Sequence, residues 1–173
     1  MIPTSKPRGT EFVCNKIIEL KPKSVLDVGI GFGRYGFLAR EFVELWVYRD
    51  YFKREGRIDG IEAFEPYIKD WHKTIYDNIY IGDVLDVIDT LDHYDLIICG
   101  DMLEHLVKER GIILLTKIKS HCKNSITILP VKVLKQGAGY GNEYERHLSQ
   151  WSVKELSKFG KVVEQNGGYI VFN

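Results

Sequence analysis

The sequence predicts an α/β protein with a mostly parallel, seven-stranded sheet, helices on both faces and a C-terminal antiparallel hairpin. Three observations carry this prediction. Apolar runs short enough for strands alternate with stretches of helical spacing, the order that builds βαβ units. The first strand-like run, Ser24–Val28, passes through a glycine-dense turn straight into a helix. Near the end, Asn166-Gly167 separates two apolar runs, a strong hairpin signal.

A helix is expected from Glu11 to Leu20, followed by the first strand, whose Val25, Leu26 and Val28 suit a strand covered on both faces. Phe37, Leu38, Phe42, Leu45 and Trp46 recur at helical intervals and predict a crossover helix over Arg34–Tyr48. The polar insert Arg49–Arg57 leads to a second strand, Ile58–Glu62, and Pro66 opens a second helix. Ile79–Ile81, Tyr94–Cys99 and Ser125–Leu129 read as the third, fourth and fifth strands, with one long helix over Met102–His121 between the last two. Val162–Glu164 and Tyr169–Phe172 form the closing hairpin.

The 173 residues, 45% of them hydrophobic, suffice for a substantial core, so residues 1–173 are expected to form a single domain. Lysine plus arginine and aspartate plus glutamate balance at 24 each, which leaves no overall basic field to attract nucleic acid or an anionic membrane. Cys14, Cys99 and Cys122 are odd in number and far apart, so no disulfide framework is expected and a reducing, cytoplasmic setting fits. No signal-like apolar segment follows Met1, and no uncharged apolar run approaches the ~20 residues of a membrane span.

Functional signal concentrates between Asp27 and Gly36. Gly29, Gly31 and Gly33 allow backbone angles and close approaches that a Cβ would forbid, so a ligand can lie against the chain. Gly31-x-Gly33-x-x-Gly36 matches the dinucleotide fingerprint. In such a site the helix N-terminus faces a pyrophosphate, which makes the Asp27 carboxylate, four residues ahead of the first glycine, unwelcome. Asp27 lies inside an apolar run and needs donors or a cation to offset its burial.

Framed as Asp27-x-Gly29-x-Gly31-x-Gly33, the segment resembles the first motif of class I S-adenosylmethionine-dependent methyltransferases. That cofactor carries an ammonium and a sulfonium and no phosphate. The resemblance implies a Rossmann-like sheet that ends in an antiparallel hairpin. It also implies that Asp27 orients water or the amino acid portion of the cofactor while the three glycines pass under it. The run Ile58-Asp-Gly-Ile-Glu-Ala-Phe64 and the pattern Gly141-Asn-x-Tyr-Glu-x-His-x-Ser-x-Trp151 are similar to small bacterial and archaeal methyltransferases of this class, so the likeness covers most of the chain.

Glu62 ends the second strand where ribose hydroxyls lie in doubly wound folds, and a carboxylate accepts from both hydroxyls; Glu65, before Pro66, better suits the start of a helix. The resemblance implies that Asp83 accepts from the adenine amine while Val84 packs on the ring, although Asp83 equally suits a cap on a helix beginning at Val84. The fourth strand ends in Cys99-Gly-Asp-Met-Leu-Glu-His105, similar to the Asp-x-Leu-Glu-His run of many small-molecule methyltransferases, which adds Asp101 to the expected cofactor residues. Enzymes that methylate base amines carry an Asn/Asp-Pro-Pro-aromatic segment at this place, and the chain has none, so no nucleic acid partner is expected.

Gln136–Trp151 is polar, aromatic and glycine-rich without a regular period, and reads as a substrate loop; Trp151 and Ser152 also suit an anchor and a cap for the next helix. Methyl transfer from a sulfonium is one displacement, so alignment of nucleophile, methyl carbon and sulfur is the main requirement. His147 is the expected general base, with His105 and Glu145 in reserve. A metal-assisted version through Asp101, Glu104, His105 and His147 has no supporting ligand spacing, and no metal is expected. The acceptor pocket is expected from Pro3–Phe12, Trp46–Phe52 and Gln136–Trp151, on a scale that suits a small molecule; Trp46, Tyr48, Tyr51 and Phe52 equally suit the core or a homodimer patch.

The expected function is methyl transfer from S-adenosylmethionine to an oxygen or nitrogen of a small-molecule acceptor. Two alternatives stand beside it. One is a non-catalytic module that binds S-adenosylmethionine or a nucleotide. The other is an NAD-dependent oxidoreductase, which Asp27 and the terminal hairpin disfavour.

Overall fold

The structure is a computed structural model that describes residues 4, 6–46, 55–139 and 141–173, with backbone alone for Leu45 and Trp46. Pro3, Tyr48, Tyr51, Phe52 and Tyr140, which the sequence places around the acceptor, lie outside the described residues, as does the Trp46 side chain.

Strand β1 (Ser24–Val28) runs parallel to β2 (Arg57–Glu62) on one side and to β4 (Tyr94–Gly100) on the other. Beyond them lie β3 (Asn78–Ile81) and β5 (Cys122–Pro130), also parallel. β7 (Gly168–Phe172) is antiparallel to β5 and to the edge strand β6 (Lys161–Gln165), giving the order β3-β2-β1-β4-β5-β7-β6. The chain reverses its direction of travel across the sheet between β1 and β4, the switch point at which open α/β sheets bind ligands.

Alternating side chains of the central strands feed two cores. Val25, Leu96 and Ile98 pack with Val13 and Ile17 of α1 (Thr10–Leu20), Tyr35 and Ala39 of α2 (Arg34–Glu41) and Ile75 of α3 (His72–Ile75). Leu26, Ile97 and Cys99 face the other way, onto Val84 of α4 (Val84–Val87), Leu114 and Ile118 of α5 (Lys108–His121) and Leu156 of α6 (Val153–Leu156). Burial on both faces explains why these strands read as continuous apolar runs. Between β6 and β7, Asn166 (φ 52°) and Gly167 (φ 73°) are both left-handed, as a tight hairpin turn requires.

Three helices differ from expectation. α2 stops at Glu41 and continues as a π-helical turn over Phe42–Trp46. Pro66 opens only a 3₁₀ turn, Glu65–Tyr67, and the chain extends at Ile68 before α3. The expected Met102–His121 helix is broken into a 3₁₀ turn at Leu103–His105 and α5. The cause is local: the Glu104 carbonyl, which would accept the N–H of Lys108 in an unbroken helix, instead accepts from Leu148 and Ser149 at 2.8 and 3.1 Å. The segment after β5 docks there and ends in a capping box, Ser152 with Glu155, beside the buried Trp151. Among the described residues no helix is long and apolar enough to cross a membrane.

Candidate functional site

A pocket opens at the carboxyl ends of β1, β2, β3 and β4. Gly29 and Gly31 line it after β1, Glu62 at the end of β2, Gly82 and Val84 after β3, and Asp101 and Met102 after β4. The glycines hold the geometry that the sequence requires: φ is 80° at Gly29, 49° at Gly31 and 91° at Gly33. The Gly29 and Ile30 amides both donate to the Ile61 carbonyl, which ties the turn to β2. Gly33 lies outside the pocket lining, and a Cβ there would meet the His72 ring at 3.0 Å.

Asp27 is 1% exposed and also lies outside the lining. Its Oδ2 accepts from the Gly36 amide at 2.9 Å, in the first turn of α2, and from the Tyr76 hydroxyl at 2.6 Å. Those donors offset its burial, although desolvation still pushes the carboxyl up to about 7. Glu62 accepts from the Gly31 amide through Oε2 and from the Phe64 amide through Oε1, both at 2.9 Å. Burial raises its carboxyl above the usual range against these donors. Glu62 itself lines the pocket.

Asp83 caps α4 by accepting from the Leu85 amide at 2.9 Å, and Arg110 donates to both of its oxygens at 2.6 and 2.7 Å. The capping reading of the sequence is therefore present in the structure, while Val84 and Gly82 form the wall itself. Asp101, at φ 48°, takes a left-handed conformation uncommon for a residue with a side chain. Arg8 pairs with it at 2.5 Å, and Arg34 donates to the Lys6 carbonyl and the Thr4 hydroxyl, so the N-terminal segment is strapped across the pocket mouth. Tyr76, Arg8 and Arg110 serve the site from distant positions, and no local sequence pattern marks them.

The second wall comes from the loop after β5. Asn142, Tyr144 and Glu145 line the pocket together with His105 and Leu106 from the turn after β4. The Tyr67 hydroxyl donates to Glu145 Oε1 at 3.0 Å, and burial raises the Glu145 carboxyl. Burial also lowers His105 to about 4, so its imidazole is neutral at neutral pH. His147, the expected base, is not in the lining; its ring stands edge-on to that of His105, with centroids 4.8 Å apart. Glu104, behind His105, is 2% exposed, and burial pushes its carboxyl up to about 8.

The order of the strands and the place of the pocket define a doubly wound α/β protein with a ligand site at its switch point. No protein-family model and no curated protein matches the chain. Solved structures do. TehB from Haemophilus influenzae superposes with a TM-score of 0.66 at 12% identity, covering 94% of this chain and 60% of that one. An O-methyltransferase family protein from Burkholderia thailandensis gives 0.65 at 9% identity, covering 95% and 55%. Magnesium protoporphyrin IX methyltransferase from Synechocystis PCC 6803, with S-adenosylhomocysteine bound, gives 0.60 at 14% identity, covering 95% and 82%. The chain spans little more than half the length of the first two. At these identities the likeness is one of fold: the chain has the fold of class I S-adenosylmethionine-dependent methyltransferases.

Proposed function

We propose that the chain is an S-adenosylmethionine-dependent methyltransferase that acts on an oxygen or nitrogen of a small-molecule acceptor. The observation that carries this reading is the charge of the pocket. Among its described lining residues are three carboxyl groups, Glu62, Asp101 and Glu145, and one guanidinium, Arg34, while Arg8 pairs with Asp101 from outside the lining. Such a lining suits the ammonium and sulfonium of S-adenosylmethionine and opposes the pyrophosphate of a dinucleotide. Glu62 holds the ribose while keeping its two amide donors, and Val84 packs on the adenine. Asp27 acts from beneath, by fixing the glycine turn through Gly36.

S-adenosylmethionine supplies an electrophilic methyl group on sulfur. The acceptor's lone pair forms the new bond to the methyl carbon as the carbon–sulfur bond breaks, and that electron pair stays on sulfur. Glu145, on the loop wall and oriented by Tyr67, takes the acceptor's proton. In this reading Glu145 takes the role of base that the sequence assigns to His147, since Glu145 lines the pocket and His147 does not. The test is formation of S-adenosylhomocysteine over a panel of small hydroxylated and amino acceptors. With an accepted substrate, Glu145→Gln should lower kcat by ~10²–10⁴-fold and leave the melting shift with S-adenosylhomocysteine unchanged. Unaltered kcat would remove Glu145 from the mechanism, and turnover with no acceptor on a broad panel would favour a binding module.

A further inference from the structure

Glu104, His105 and His147 converge behind the pocket wall, and methyl transfer as described leaves their joint chemistry unused. One ligand atom from each lies within 4.8 Å of the other two. Glu104 is almost wholly buried, and its Oε2 has no hydrogen-bond partner. A buried carboxyl oxygen without a donor is costly unless something positive meets it.

The two imidazoles are held in a particular way. His105 Nδ1 lies 3.2 Å from the Arg146 carbonyl, and His147 Nδ1 lies 2.6 Å from the Leu134 carbonyl. A carbonyl oxygen only accepts, so each Nδ1 carries the hydrogen and Nε2 is the ring nitrogen left to bind an ion. Histidines that bind metals are oriented in this manner, with the far nitrogen donating to a backbone carbonyl or carboxylate.

We propose that Glu104, His105 and His147 bind one divalent first-row transition metal ion of the zinc type. Imidazole nitrogens select against magnesium and calcium, which favour all-oxygen shells. Two histidines and one carboxylate also form a donor set that leaves a coordination position open. The ligands come from two separate segments, the turn after β4 and the loop after β5, so the ion fastens the loop to the strand edge. His105 belongs to the pocket wall as well, which puts the ion next to the acceptor space. A role in the reaction rests on the methyltransferase reading: with His105 in the pocket wall, a bound ion would make a nearby acceptor hydroxyl more acidic through its charge.

The test uses the full chain stripped with a chelator and titrated with ZnCl2 by calorimetry and with CoCl2 by visible absorption, without S-adenosylmethionine. One equivalent should bind, with cobalt d–d bands appearing in step. His105→Ala and His147→Ala should each weaken binding beyond the ~10–100-fold typical of changes to outer-shell partners. The surface control Asp89→Ala should bind as the wild type does. Glu104→Gln keeps the buried volume and should also lose the ion, and a thermal melt checks that each variant is folded. Absence of saturable binding for both ions, or wild-type affinity in both histidine variants, would overturn the site. The melting shift with S-adenosylhomocysteine is read separately: metal binding without that shift would overturn the cofactor reading alone, and the shift without metal binding would overturn the metal site alone.

Discussion

At the scale of single residues, Asp27 shows what burial does to a carboxyl group whose neighbours are donors rather than a counter-charge. An unfolded aspartate titrates near 3.8, and in the fold the group titrates near 7. Between those values the folded chain holds a proton that the unfolded chain gives up. Its contribution to stability is therefore full below about 4 and is lost as pH rises through about 7. Asparagine does not titrate, so the Tm of Asp27→Asn should gain on that of the wild type as pH rises from about 5 to about 8. A difference that stays constant over that interval would show that Asp27 is ionised throughout. The importance of Asp27, Glu62 and the glycines was legible because each departs from the apolar pattern around it. Their partners were not legible: Tyr76 lies 49 residues from Asp27, and Arg110 lies 27 from Asp83. The juxtaposition of His147 with Glu104 and His105 exists only once β4 and β5 are side by side, and no ligand spacing announces it.

At the scale of elements, the approach of α2 to the segment after α3 is the tightest support of the glycine turn. A Cβ on Gly36 would stand 2.2 Å from Tyr76 Cζ, in the core and against the residue that donates to Asp27. Gly36→Ala should therefore destabilise the fold by ~1–3 kcal/mol, read by chemical denaturation. Gly137→Ala, in open space, should change little. Equal stability for both variants would mean that Tyr76 moves aside without loss. The strands other than β5, which begins three residues before the expected Ser125, were read to within a residue of their ends, because two-sided burial leaves an apolar run and the closing turn carries its own residue signature. Helix limits were less legible. Spacing cannot show that the amides of Leu148 and Ser149 will take the Glu104 carbonyl from the helix, nor that Ile68 will extend after Pro66.

At the scale of the whole molecule, the sheet gathers the residues that follow β1, β2, β3 and β4 along one edge, and the loop after β5 and the N-terminal strap close over them. A fold alone accommodates many ligands, and in the proposed reading the carboxyl groups of this particular pocket favour a sulfonium cofactor over a dinucleotide. The most direct measurement is the thermal shift of the wild type and of Glu62→Ala with S-adenosylmethionine, S-adenosylhomocysteine, NAD and NADP. A ligand at ~100 times its Kd adds about 2.7 kcal/mol, or roughly 5–10 °C for a chain of this size. Such a shift is expected with the two adenosyl ligands, its loss in Glu62→Ala, and none with the dinucleotides; a shift with NAD or NADP alone, or none with any ligand, would contradict S-adenosylmethionine as the cofactor.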